Sequence, residues 1–207
     1  MKKLLVLGVA AALSMPAVAA QSTVINGMDF GPLAQLVGTW KSVDAGGVDI
    51  APSQEGSAVG VGASAVTPFY EVMTFEVAAD ATNASEQYLV ALYYKQEVFR
   101  KVDDTKFHDQ RGYFIYDKAN QTVYNSFCVP RTTCVTAEGK AGNVMTLTSS
   151  ENGIAESNYM TKNAATTDFI MNLNIADDTL TYSQTTALEI YGQAFSHTDA
   201  STLHKVK

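Results

Sequence analysis

The chain has 207 residues, with 21 acidic against 14 basic side chains and a net charge of −7 at pH 7. This length suits one domain, and an acidic chain without a basic run is a poor partner for nucleic acid or an anionic membrane. Three widely spaced histidines and two cysteines without a flanking histidine leave no zinc triad or cluster motif.

The first twenty residues read as a secretory signal. Lys2 and Lys3 are its basic start, Leu4 to Leu13 its apolar segment, and Ala17-Val18-Ala19-Ala20 its small-residue cleavage site. Cleavage is expected after Ala20, giving a signal peptide over 1–20 and a domain over 21–207. The product would be periplasmic or secreted. The apolar segment is shorter than the roughly 20 residues a membrane-spanning helix needs, so stable membrane insertion is not expected.

Pro32 opens a short helical turn over Leu33 to Val37. Gly38-Thr39-Trp40 then starts the first strand. Residues 44–66 are rich in Gly, Ala and Ser and read as a long loop insertion. From Pro68 onward Val, Ile, Thr, Tyr and Phe dominate, and polar and apolar residues alternate. Strands are expected over Pro68–Val77, Gln87–Phe99, Phe107–Tyr116, Thr122–Val129, Thr132–Ala137, Val144–Ser149, Thr167–Ile175, Thr179–Leu188 and Ala194–Val206. Asp117-Lys118-Ala119-Asn120, Glu138-Gly139-Lys140 and Ala176-Asp177-Asp178 read as turns. Asp103-Asp104 also suits a turn, and no calcium loop is spelled out.

About nine or ten strands joined by short turns favour antiparallel neighbours. So many strands in one domain must curl, and closure removes exposed edges. The fold class is therefore all-β, a single closed antiparallel barrel with a short N-terminal helical turn. A barrel of this size leaves room for one small ligand. Cys128 and Cys134, in an oxidising compartment, are expected to form a disulfide around a turn at Val129-Pro130-Arg131.

Several segments, in order, resemble the nitrobindin family of haem-binding β-barrels. They are the Leu36-Val37-Gly38-Thr39-Trp40 start, Phe107-His108-Asp109-Gln110-Arg111-Gly112-Tyr113-Phe114, Glu138-Gly139, Thr179-Leu180-Thr181-Tyr182, and Tyr191-Gly192-Gln193-Ala194-Phe195-Ser196-His197. The resemblance covers about residues 33 to 207. It implies a calycin-type barrel that holds haem b without covalent attachment, with His197 as the iron ligand. Phe195, Trp40 and His108 join His197 in the haem-binding set it implies. Trp40 would plug the closed end, and His108 would lie at a rim. Phe195 and Asp199 share the strand face of His197 if alternation holds. Phe69, Met73, Phe75, Tyr93, Phe114, Met171 and Tyr182 form the pool of apolar walls. Haem carriage, buffering, small-gas chemistry or peroxynitrite isomerisation at iron would follow from the same resemblance. The chain departs from the family in its 44–66 segment, its export signal and its disulfide.

Two other functions fit the same strand pattern. One is a metal-free carrier of a fatty acid or another small hydrophobic ligand. The other is an envelope interaction protein with a packed barrel. No nucleophile elbow, Walker loop or HExxH motif points to a catalytic residue. Nothing in the pattern specifies an oligomeric state.

Overall fold

The computed structural model describes residues 22–207, so the signal segment 1–20 lies outside the described residues. Two short strands, β1 (Val24–Ile25) and β2 (Met28–Asp29), form a hairpin before a 3₁₀ turn at Gly31–Leu36. The strands that follow are β3 (Gly38–Ser42), β4 (Gly47–Pro52), β5 (Ser64–Val77), β6 (Ala81–Asn83) and β7 (Gln87–Arg100). Then come β8 (Lys106–Asp117), β9 (Thr122–Val129), β10 (Thr133–Lys140) and β11 (Val144–Glu156). A short helix α1 (Asn158–Asn163), capped by Ser157, precedes β12 (Ala164–Ala176), β13 (Thr179–Ile190) and β14 (Gln193–Lys205).

Each long strand pairs antiparallel with the next, from β7 through to β14. β5 pairs with β7, and both β3 and β4 bridge β5 to β14. β3 and β4 thus share one position in the wall, and the sheet closes as a barrel of ten strands. Closure is what the expected strand count demanded.

The segment 44–66 differs from the expected loop insertion. It is not one long loop: Gly47–Pro52 is β4, and β5 begins at Ser64. Only residues 53–63 connect the two. Gly47 explains the lapse in the pattern, because it meets the Phe69 ring so closely that a Cβ there would stand 2.3 Å from it. The small residues here admit a neighbouring aromatic within a strand and do not mark a loop. Glu138-Gly139-Lys140 is likewise not a turn but the end of β10, where a Cβ on Gly139 would lie 2.0 Å from the Thr146 carbonyl oxygen.

One end of the barrel is closed. Leu33 and Leu36 of the 3₁₀ turn and Phe30 just before it pack into it beside Trp40, and all four are fully buried. Trp40 Nε1 donates to the Leu36 carbonyl at 2.7 Å, which satisfies its polar atom inside apolar surroundings. Met73, Phe75, Tyr94, Phe114 and Leu173 fill the half next to this plug. The other end is rimmed by residues 53–63, 101–105, 130–132, α1 and the Tyr191-Gly192 turn.

Cys128 and Cys134 are register partners on β9 and β10 and are joined by a disulfide, as expected. Their side chains alternate with inward-facing Phe127 and Val135, so the bridge lies on the outer wall. It pins the hairpin whose tip carries Arg131.

Candidate functional site

Alternation on β14 turns Phe195, His197, Asp199, Ser201 and Leu203 toward the interior. The same rule turns Asp49 inward on β4, Glu71 on β5, Gln96 on β7, Gln110 on β8, and Tyr182 and Gln184 on β13. These residues make a polar belt across the middle of the barrel, above the apolar plug.

The belt borders a cavity of about 360 Å³ near the open end, lined by Asp49, Gln96, His108, Tyr182, His197 and Asp199 among others. A narrower pocket of about 70 Å³ adjoins it, walled by Phe127, Val129, Val135, Phe169 and Leu188 with Met160 from α1. His108, Arg131, Ile190, His197 and Asp199 line both. His197 therefore stands where an apolar wall meets a polar one. Arg131 and Arg100 add positive charge to the outer cavity, and Arg100 stacks on the Phe107 ring at 4.6 Å.

Asp49 and Asp199 are direct register partners across the β4–β14 ladder. His197 joins them: its Nε2 donates to Asp49 Oδ1 at 2.6 Å and lies 3.6 Å from Asp199 Oδ1. Burial alone would push the imidazole down, but the carboxylates of Asp199 and Asp49 outweigh it and raise His197 to about 9. Burial raises Asp49 above the usual carboxylate range. Burial acts the same way on Asp199, yet the hydrogen bond and charge of His197 hold it down at about 2. The result at neutral pH is an imidazolium clasped by carboxylates.

A second buried acid lies behind them. Glu71 is 1 % exposed. Its Oε2 accepts from Gln96 Nε2 at 2.6 Å and from Tyr182 Oη at 3.1 Å. Burial raises Glu71 to about 7, against the pull of its hydrogen-bond donors. On the opposite wall His108 donates from Nε2 to Gln110 Oε1 at 3.3 Å, and Gln110 donates to Tyr94 Oη at 2.6 Å. Burial lowers the His108 pKa, leaving a neutral imidazole at the cavity.

The residues expected at the site divide accordingly. His197, Asp199 and His108 come together at the cavity, where His108 is half-buried near the open end. Phe195 shares the inward face of His197 but is half-buried and does not line the cavity. Trp40 lies at the closed end. Of the expected apolar walls, Phe69 and Tyr182 line the outer cavity, whereas Met73, Phe75, Phe114 and Met171 belong to the packed core. Tyr93 faces outward against Tyr113, and its neighbour Tyr94 takes the interior position. His204 is exposed and meets Thr179.

Asp49, Glu71, Gln96, Gln184 and Arg131 were not expected at the site. Glu71 carried a signal, because it alternates inward with Phe69, Met73 and Phe75 along β5. Asp49 carried none, since its strand was hidden in the small-residue segment.

The sequence profile of the THAP4-like, heme-binding beta-barrel domain family matches residues 29–205. The crystal structure of Rv2717c from M. tuberculosis has a similar fold, with a TM-score of 0.59 and 19% identity, covering 84% of this chain and 95% of that one. No curated protein matches the chain in sequence.

Proposed function

Because the chain belongs to the THAP4-like haem-binding β-barrel family, we propose that it binds haem b non-covalently at the open end, with His197 as the iron ligand. The observation that carries this reading is the inward position of His197 at the junction of an apolar wall and an open cavity. The residues present fit the group. Phe127, Val135, Phe169 and Leu188 offer an apolar wall for a porphyrin face, and Arg131 and Arg100 offer cations for its carboxylates. Both cysteines are committed to the disulfide, so neither competes for iron.

Haem in such a site supplies an iron centre for electron transfer or small-molecule ligation. The chain's own contribution is to orient the imidazole and shelter it from water. Asp49 accepts a hydrogen bond from Nε2 of His197, and that contact would have to give way for the same nitrogen to hold iron. His108 is a neutral hydrogen-bonding group on the same cavity and would be available to a small ligand held there. Carriage, buffering, small-gas chemistry and peroxynitrite isomerisation are the roles open to it.

Export of the chain to an oxidising compartment belongs to the same reading. It is supported by the Cys128–Cys134 bridge and by the signal pattern over 1–20. Among the described residues no helix is long and apolar enough to cross a membrane.

Titrating the purified haem-free chain with hemin tests the proposal. A saturable Soret shift at one equivalent is expected for the wild type and is lost in His197→Ala. Identical spectra for the two proteins would remove His197 as ligand. The metal-free carrier of an apolar molecule is less well supported, because the interior around the cavity is acidic and amide-rich. The packed-barrel interaction protein is disfavoured by a cavity of about 360 Å³.

A further inference from the structure

The cluster around His197 has a property that haem ligation does not use. β4 and β14 place two aspartates directly opposite one another, on the inner face of a closed barrel. Like charges in that cross-strand relation repel, and burial removes the water that would screen them. One oxygen from each and one ring nitrogen of His197 all lie within 4.8 Å of one another. A tetrahedral ion with ligands about 2.0–2.1 Å away holds them roughly 3.3 Å apart. The His197–Asp49 and His197–Asp199 separations, 2.6 and 3.6 Å, bracket that spacing.

An independent observation also points to a cation. Gln184 is 5 % exposed and lines the cavity beside His197 and Asp199, yet its Oε1 has no hydrogen-bond partner. Its Nε2 donates to Asp199 Oδ2 at 3.1 Å, which fixes the amide against the cluster. Glu71 Oε1 and Gln96 Oε1 in the same belt are buried and unpartnered too. Ser201 Oγ on the same inner face is an unpartnered hydroxyl that can serve Glu71, so the acceptor that bears on the His197 cluster is Gln184 Oε1. Buried polar atoms are normally paired, and an unmet amide oxygen beside two carboxylates calls for positive charge or for water bound to it.

We propose that Asp49, His197 and Asp199 bind a single divalent first-row metal ion without porphyrin. Two carboxylate oxygens and an imidazole nitrogen neutralise such an ion and leave further positions for water or for Gln184. Imidazole in the set favours zinc, iron or cobalt over magnesium or calcium. This does not rest on the haem reading. It adds to it a competitor, since one imidazole nitrogen cannot ligate two metals.

The test uses the purified, hemin-free and chelator-treated chain with Co²⁺ alone. Visible d–d bands saturating at one equivalent are expected. Asp49→Asn and Asp199→Asn should each weaken binding by roughly tenfold or more, while His204→Ala should match the wild type. Far-UV circular dichroism and thermal unfolding establish that the variants are folded. If either variant is not, the wild type alone decides: Co²⁺ must shift the ring resonances of His197 and leave those of His204 in place. Absence of saturable bands, unchanged affinity in folded aspartate variants, or shifts that miss His197 would each overturn the proposal. The hemin titration is read separately, so failure of one reading is not failure of the other.

Discussion

Asp49 and His197 meet at 2.6 Å from strands β4 and β14, and that contact occupies Nε2 of the imidazole. A buried hydrogen bond between charged groups contributes about 1.5–3 kcal/mol. Under the proposed ligation through that nitrogen, this would have to be given up. Asp49→Asn keeps the shape of the side chain and removes its charge, so hemin affinity should rise roughly tenfold. The same substitution should weaken Co²⁺ binding. Parallel hemin and Co²⁺ titrations check both signs, and a loss of hemin affinity would mean that Asp49 supports the imidazole rather than restrains it.

Glu71 predicts a pH dependence of stability. Its carboxyl titrates near 7 in the folded barrel, against the ordinary value of 4.5. A raised folded pKa means that the native state holds the proton more tightly than the unfolded chain. The stability this confers is complete below 4.5 and is lost as pH rises through 7. About 3 kcal/mol is at stake, since each pKa unit corresponds to about 1.36 kcal/mol. Glu71→Gln carries no proton to lose, so it should flatten the decline between pH 4.5 and 7. Urea unfolding at a series of pH values measures this. Parallel curves for wild type and variant would show that Glu71 titrates normally.

The barrel was legible because period-two alternation survives in long strands such as β5, β7 and β13, and turn residues punctuate them. Thr122–Val129 was bounded as observed for that reason. His197 was legible through the Tyr191-Gly192 turn that precedes its strand and the resemblance around it. Its partners were not. Asp49 sits in a six-residue strand of small and polar side chains, where no apolar alternation marks the inner face. Its pairing with Asp199 spans the whole chain and exists only once the barrel closes. Gln96, Gln110 and Gln184 look like surface residues one at a time. Their inward position is set by neighbours such as Tyr94, Phe114 and Tyr182 on the same strand faces. The short helix α1 escaped because six residues capped by Ser157 carry too little periodicity to register.

The Cys128–Cys134 bridge closes a loop of only a few residues, so its contribution to stability is bounded. Loop-closure entropy for so short a loop amounts to about 2 kcal/mol. The Cys128→Ser/Cys134→Ser double variant should fold and should lose roughly 5 °C in Tm. The hairpin tip it leaves unpinned carries Arg131, which lines both the cavity and its apolar annex. Hemin affinity should therefore fall along with stability. Calorimetry and hemin titration of the double variant, set beside Arg131→Ala, separate the two effects. If Arg131→Ala binds hemin as the wild type does, the hairpin has no part in binding.

Trp40 offers the converse separation. Its indole is fully buried between the 3₁₀ turn and the strands, donates to Leu36 and has the Lys205 ammonium 5.3 Å from its ring centre. It lines neither part of the cavity. Trp40→Phe removes one buried hydrogen bond and part of the plug's volume, which should cost about 2 kcal/mol. Because the polar belt and the apolar layer beneath it lie between Trp40 and the cavity, hemin affinity should stay within about twofold of the wild type, a difference of only about 0.4 kcal/mol. Chemical denaturation reads the first effect and the Soret titration reads the second. A large loss of hemin affinity in a folded Trp40→Phe barrel would mean that the plug, and not the open end, shapes the ligand site.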